Sequence, residues 1–266
     1  MPDWLAVIIL GIIEGVTEFL PISSTGHLLI PQNLGWLPKQ GDLFDVVIQS
    51  GAVLAVLAVF MKRVRQLLSS LKESSTRDYL AKLAFSFVLT AAGGLVIKKM
   101  DIELPETIQP VAWATLLGGF FILILESKTK EKKNGTSITW TIAAAIAAAQ
   151  LLAAVFPGTS RSGASILMAM AFGLARPAAT EFSFLLGIPT LISAGGLKIV
   201  SAFLDGEAEK IDWAMLALGS IVSATSAFLV VKWLIHFVQS HTFVGFAWYR
   251  IVLGILLLAL GTGMGR

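Results

Sequence analysis

Glu14-Gly-Val-Thr-Glu18-Phe-Leu-Pro21-Ile-Ser-Ser-Thr-Gly-His27 is the stretch that decides the fold. It closes an apolar run, Trp4 to Leu20, with two carboxylates, a proline and a polar string containing glycine. A second stretch, Pro157-Gly-Thr-Ser-Arg-Ser-Gly163, closes another apolar run, Ile138 to Phe156, and a short apolar piece, Ala164 to Ala175, follows it. A polar break between two apolar half-segments is the pattern of a re-entrant hairpin. Non-helical backbone at membrane depth is tolerated only where protein or a watery cavity satisfies its polar groups. The alternative is that each break is an ordinary loop at the membrane surface.

The remainder of the chain places these breaks in a membrane. Of 266 residues, 56% are hydrophobic and only 14% charged, with a mean hydropathy of +0.81; a soluble domain carries about 25% charged residues. That excludes a disordered chain, a nucleic-acid-binding arm and an ordinary cytosolic enzyme. Six stretches read as full spans: Leu43 to Met61, Leu83 to Ile97, Thr107 to Leu125, Phe182 to Leu204, Trp213 to Leu234 and Gly245 to Leu260. Each is near the length that crosses about 30 Å of hydrocarbon at 1.5 Å per residue. With no cysteine, a disulfide framework, an iron–sulfur cluster and a thiolate zinc site are excluded. The net charge of +3 reflects basic loops and no polyanion-binding face, so no nucleic-acid partner is expected. Met1 to Asp3 lacks a basic n-region, so no cleavable signal peptide is expected.

Loop charge gives orientation. Lys62 to Lys82 holds six basic residues and Glu126 to Lys133 four, whereas Asp205 to Asp212 holds four acids against one lysine, and Lys98 to Glu106 three acids against two. Cytoplasmic loops collect lysine and arginine. The first two loops are therefore inside and the last two outside. The first hairpin then enters from outside and the second from inside. Aligning Pro21 with Pro157, 136 residues apart, puts Ser23-Ser24 on Thr159-Ser160, Glu14 on Gln150 and Asp45 on Glu181. The expected fold is an all-α integral membrane protein of six transmembrane helices plus two re-entrant helix-loop-helix hairpins. It forms a single membrane domain, 1–266, built as an inverted-topology repeat of about 1–125 and 138–262. Such repeats place their site near the midplane, where broken helices meet.

Ionisable groups at membrane depth are costly and point to function; Glu14, Glu18, His27, Arg161 and Lys198 are the candidates. Glu14 and Glu18, four apart, share a helix face. Two carboxylates in a low dielectric repel unless a cation lies between them or one holds a proton. A hard divalent cation, Mg²⁺ or Ca²⁺, would resolve this; a proton-coupled pair is the alternative. Ser23, Ser24 and Thr25 supply hydroxyls beside Gly26 and His27, a set suited to nucleophilic or acid–base work. In the second break, Gly158 and Gly163 let backbone approach a ligand. Thr159, Ser160, Ser162 and Ser165 add hydroxyls, the start of the following helix offers free N–H groups, and the Arg161 fork suits phosphate oxygens. Lys198 reads as a snorkelling residue, Arg176 and Glu181 as a solvated pair at the inner surface, and His236 and His241 as surface residues. The tryptophans and tyrosines near span ends read as an interfacial belt.

With these motifs the chain resembles the bacterial undecaprenyl-diphosphate phosphatases, also called the bacitracin-resistance protein family. Glu14 to His27, Val46-Val-Ile-Gln49-Ser-Gly, Pro157 to Gly163 and Ser183-Phe-Leu-Leu-Gly-Ile-Pro189 carry the resemblance. It runs over nearly the whole chain in order and spacing. It implies hydrolysis of undecaprenyl diphosphate to undecaprenyl phosphate and inorganic phosphate, which recycles the cell-wall lipid carrier and confers bacitracin resistance. By resemblance Glu14 and Glu18 are the paired acids, Ser24 and His27 belong to the first motif, Ser160 and Arg161 to the second, and Gln49 joins the substrate-binding set. Ser165 stands where the family pattern leads us to expect threonine. The implied partners are a polyprenyl diphosphate lipid and the membrane, with a second copy of the chain as a further candidate. The implied location is the bacterial inner membrane, with the site opening to the outer face. His27 or Ser24 as nucleophile, and His27 activating water, stay open. An inverted-repeat secondary transporter or lipid-phosphate flippase is the rival reading.

Overall fold

A computed structural model describes residues 1–100, 108–129 and 135–263. Asp101, Glu103, Glu106, Lys130, Lys132 and Lys133, which carry part of the orientation argument, lie outside the described residues. The described chain is helical: α1 (Asp3–Thr17), α2 (Ser24–Asn33), α3 (Asp42–Val59), α4 (Met61–Ser69), α5 (Ser74–Lys99), α6 (Ile108–Thr129), α7 (Trp140–Val155), α8 (Arg161–Ala171), α9 (Arg176–Leu204), α10 (Trp213–Ser240) and α11 (Val244–Gly263), with one 3₁₀ turn at Ala208–Lys210. Helices α3, α5, α6, α9 and α10 are long and apolar enough to cross a membrane. They coincide with the first five predicted spans. The sixth falls on α11, whose apolar stretch Val244–Ala259 is shorter. This is a multi-pass helical membrane protein.

The stretch from Lys62 to Lys82, expected as a loop, is mostly helix. It contains no proline or glycine to stop one. Helix α4 buries Leu67 while Lys62, Arg65 and Gln66 are exposed.

The broken segments are too short to cross. Helices α1, α2, α7 and α8 have 15, 10, 16 and 11 residues, the longest spanning only about 24 Å. Both breaks use one device. Ser23 (φ 73°) and Ser160 (φ 70°), the residues that precede α2 and α8, are the only non-glycine positions with positive φ among the described residues. Each hydroxyl accepts the N–H of the third residue on, Gly26 at 3.3 Å and Gly163 at 3.2 Å. The left-handed backbone costs about 1–2 kcal/mol, and the cap bond offsets about 1 kcal/mol of it.

The two caps correspond with Ser23 on Ser160 and Ser24 on Arg161, one residue away from the match through the prolines, because the second loop has one more residue between its proline and its cap. That residue-rich turn needs Gly158 (φ 97°), where a Cβ would lie 2.5 Å from the Val111 carbonyl oxygen.

The second pair begins and ends together. The Gly135 N–H donates to Gly173 O at 3.0 Å and the Ala175 N–H to Gly135 O at 2.8 Å. Helix α7 packs on α8, and α1 on α2 and α10. Contact with α10 is close enough that a Cβ on Gly15 would lie 2.3 Å from the Ser223 carbonyl oxygen, the small-residue packing that holds helices together in lipid. Phe19, Val56, Phe182, Phe184 and Leu186 lie in the buried core, while Leu54, Val88, Leu117, Ile221 and Leu229 face outward.

Two surface expectations change. Arg176 and Glu181 do not pair. Arg176 instead forks onto buried Glu126 (Nη2–Oε2 2.6 Å, Nε–Oε1 3.2 Å), which also accepts the Phe243 N–H at 2.8 Å. Glu181 takes Arg63 Nε at 2.8 Å. Residues five apart on a helix lie on different faces, which separates the expected partners. The tyrosines pack against protein: Tyr79 edge-on to Phe182 beneath the Arg63 guanidinium, and Tyr249 against His27. Lys198 meets Asp42 in an exposed pair at 3.2 Å, and His236 and His241 are exposed.

Candidate active site

The two loops meet tip to tip. Ser162 donates to Glu18 O at 3.0 Å and Leu20 O at 3.2 Å, and Ser160 to Leu20 O at 3.3 Å. Gly163 leaves room for Pro21: a Cβ there would lie 3.2 Å from it. The hydroxyls of Ser160 and Ser162 are thus engaged in holding one loop against the other, and Ser23 in capping. Thr159 donates to Phe156 O at 2.7 Å within its own turn, and Ser165 donates to the Arg161 carbonyl.

Glu18 sits at the junction, 6% exposed, as the residue that ends α1. Ser24 Oγ donates to its Oε2 at 2.7 Å, and Arg161 Nη2 donates to its Oε1 at 3.1 Å. Ser24 and Arg161 open α2 and α8, so the two equivalent positions of the two loops converge on one carboxylate. Arg161 uses only part of its fork: its Nε and Nη1 are buried without a partner. Gly187 on α9 makes space for it, since a Cβ would lie 3.0 Å from Nη1. A half-satisfied buried guanidinium beside two helix N-termini is a place for anionic oxygens.

Glu14 lies one turn earlier, fully buried, with neither carboxylate oxygen hydrogen-bonded. Asp45 Oδ1 on α3 is likewise buried and unpartnered, and it lies within electrostatic range of Glu14. An unpaired buried carboxylate is expensive, so this pocket calls for a cation or a proton.

His27 does not reach Glu18. Its Nδ1 lies 2.7 Å from the Ser23 carbonyl oxygen, an acceptor only, so Nδ1 bears the hydrogen. The lone pair is then on Nε2, which accepts from the Tyr249 hydroxyl at 2.6 Å. The rings stack at 5.7 Å between centroids. Thr25 and Gln49 are half-buried, Gln49 one turn beyond Asp45 on α3. Gly26 packs near Val111, 3.3 Å from a hypothetical Cβ.

Three residues escaped the sequence reading: Asp45, Tyr249 and Arg250. Arg250 is 1% exposed and donates only to carbonyls: Nε to Thr115 (3.1 Å), Nη1 to Pro21 (3.1 Å) and Thr159 (3.0 Å), Nη2 to Ala114 (3.0 Å) and Gly158 (3.0 Å). All five of its N–H groups are used, and they tie α6, both loops and α11 together. The signal was an arginine inside an apolar span, the same signal that singled out Arg161.

The family described as "Bacitracin resistance protein BacA" matches residues 7–256. The chain is 48% identical over 261 residues to an "Undecaprenyl-diphosphatase" of Rhizobium etli (strain CIAT 652), covering 98% of each protein. It is 48% identical over 259 residues to one of Xylella fastidiosa (strain 9a5c), covering 97% of this chain and 98% of that protein. It is 44% identical over 259 residues to one of Xanthomonas oryzae pv. oryzae (strain PXO99A), covering 97% of each. A match of that length, across both loops and every helix between them, means that this chain belongs to the bacitracin resistance protein BacA family.

Proposed function

We infer that the chain is an undecaprenyl-diphosphate phosphatase: it hydrolyses undecaprenyl diphosphate to undecaprenyl phosphate and inorganic phosphate, and so recycles the lipid carrier and confers bacitracin resistance. The observation that carries the reading to particular atoms is the Glu18 carboxylate held between the Ser24 hydroxyl and Arg161, with two Arg161 nitrogens unpaired. Arg161 binds the terminal phosphate through those nitrogens, and the N–H groups that begin α2 and α8 face its oxygens. Ser24 attacks the terminal phosphorus while Glu18 takes its proton, and undecaprenyl phosphate departs with the bridging oxygen. Water then hydrolyses the phosphoserine, releasing inorganic phosphate. His27 is the less direct nucleophile, since Tyr249 caps its Nε2.

A divalent cation, Mg²⁺ or Ca²⁺, fits Glu14, whose two buried oxygens have no partner. The Glu18 oxygens are taken, so Glu14 would be the principal protein ligand, with Glu18 beside it. Among the described residues no three His, Cys, Asp or Glu side chains converge, so phosphate oxygens and water would complete the coordination shell. Bound there, the cation offsets charge on the diphosphate.

The arrangement is a single membrane domain of two inverted repeats, each a re-entrant hairpin plus three spans. The equivalent caps at Ser23 and Ser160, and the paired ends of the second hairpin, support this. In the bacterial inner membrane the first hairpin enters from outside and the site opens to the outer face, as loop charge indicates.

The test is phosphate release from a prenyl diphosphate by the purified protein in detergent, with and without chelator. Release that Glu18→Ala or Arg161→Ala abolishes supports the reading. Movement of labelled lipid across liposomes without phosphate release would instead establish the transporter. A phosphopeptide mapped to Ser24 after rapid quench supports the serine step; a phosphohistidine at His27 overturns it.

A further inference from the structure

The two halves carry equivalent grooves at their outer walls, and the grooves differ. Helix α6 does not pack along α7, and α11 does not pack along α1. The first gap is a continuous apolar groove of about 610 Å³ on α6, α7 and α8. The second is divided into two smaller hollows of about 330 and 380 Å³. Their walls correspond through the repeat: Thr159, Ala164, Leu167 and Met168 fall on Ile22, His27, Ile30 and Pro31. The difference has a plain cause. Where one groove has the Ala164 methyl, the other has the His27 imidazole, hydrogen-bonded to Tyr249 across the gap at 2.6 Å. That bridge closes one groove at its middle; among the described residues no comparable side-chain pair crosses the other.

We propose that the open groove on α6, α7 and α8 holds the first isoprenyl units of the lipid, next to the diphosphate. The proposal rests on the reading of the substrate as a prenyl diphosphate. Three observations carry it. The groove reaches the turn that carries the candidate site, since Thr159 and Ala164, which line it, stand beside Ser160 and Arg161 at the start of α8. Its wall is mainly apolar, with Trp113, Leu117, Leu152 and Phe156 exposed and only Thr159 and the carbonyl-bound Arg250 as polar lining, as a hydrocarbon chain requires. Its depth also suits the direction of approach. In the proposed orientation α7 and α8 occupy the inner half of the membrane. A lipid of the outer leaflet that lowers its head to the midplane carries its chain below the head, into that half. The closed groove lies on α1 and α2 in the outer half, where the chain would have to double back.

Leu152→Trp fills the groove without touching Glu14, Glu18, Ser24 or Arg161. With a long prenyl diphosphate it is expected to raise KM about tenfold, with kcat little changed, the pattern of lost uniform binding. With a diphosphate bearing a single isoprenyl unit, kcat/KM stays at the wild-type value. Ile30→Trp, in one hollow of the closed groove, leaves both substrates unaffected. A KM rise for the long substrate in Ile30→Trp and none in Leu152→Trp would overturn the proposal. Wild-type protein treated with a benzophenone-bearing prenyl diphosphate gives the second readout. Cross-links to α6, α7 or α8 peptides, displaced by unlabelled prenyl diphosphate, support the groove. Cross-links to α1, α2 or α10, or ones that ordinary phospholipid displaces equally well, refute it. Absence of phosphate release from either substrate by the wild-type protein is a failure of the phosphatase reading and is seen before any variant is compared.

Discussion

Replacing Arg250 by methionine removes five N–H donors from a site with 1% exposure. Two of the acceptors, Ala114 and Thr115, are carbonyls within α6 that keep their helical partners. The other three, Pro21, Gly158 and Thr159, are loop carbonyls. Leaving a buried acceptor unsatisfied costs about 1–3 kcal/mol. Three at the low end give about 3 kcal/mol, and removal of a desolvated charge offsets part of any larger sum, so the loss lies at about 3–5 kcal/mol. At about 2–4 °C per kcal/mol for a chain of this size, the thermal midpoint in detergent should fall by about 6–20 °C. Arg250→Lys keeps three donors on one nitrogen, which cannot fork across both loops, and should fall between methionine and wild type. Gly118→Ala supplies an independent check, because its Cβ would lie 2.0 Å from Arg250 Nη2 and must displace the guanidinium. Its penalty should shrink in the Arg250→Lys background, where that nitrogen is gone. Phosphate release should drop in the same order, through kcat, as the loops lose their relative position. A methionine variant with the wild-type midpoint and kcat, or a Gly118→Ala penalty that is undiminished in the lysine background, would refute the reasoning.

Tyr249→Phe keeps the ring stack and removes the bond to His27 Nε2, which should lower kcat with little change in KM and alter the shape of the pH–rate profile; an unchanged profile means that the hydroxyl does not set the histidine. Glu126→Ala leaves Arg176 and the Phe243 N–H without their buried acceptor and should cost about 3–5 kcal/mol, read as a lower detergent midpoint with KM unaltered. Gly15→Ala drives a methyl against Ser223 O, so it should destabilise by about 1–3 kcal/mol; a wild-type midpoint would show that α1 and α10 can separate freely.

Much of this was legible in the sequence, and the exceptions share a cause. Hydropathy placed the long helices, because a membrane imposes length and apolarity on anything that crosses it. Depth singled out Glu14, Glu18 and Arg161, and the structure brings Glu18 and Arg161 into contact. Partners within a helix could be reasoned from spacing; partners between helices could not. Arg176 meets Glu126 across fifty residues, and Arg250 meets Pro21 across more than two hundred. The roles of the serines were hidden for the same reason. Ser160 and Ser162 look like phosphate ligands in a string of hydroxyls, yet their acceptors are carbonyls of the other loop. The one-residue shift of the repeat was hidden too, since prolines are easy to align and a positive φ at a serine is not written in its identity.

That shift matters because it changes what the two halves have in common. With Ser23 on Ser160, the shared features are the capping serine and the glycine three residues on, both structural. The positions that differ are Ser24 against Arg161, His27 against Ala164 and Glu14 against Gln150. A two-fold arrangement with identical residues would set two arginines on one carboxylate, or two unpaired carboxylates at one midplane, and either is costly in a low dielectric. Phosphoryl transfer needs unlike groups on its two sides: an acceptor for a proton and donors for an anion. In the proposed arrangement the repeat would supply a symmetric frame that brings two loop tips together. Its chemistry would come from breaking that symmetry at the first turn of each short helix, where Ser24 and Arg161 reach the two oxygens of Glu18.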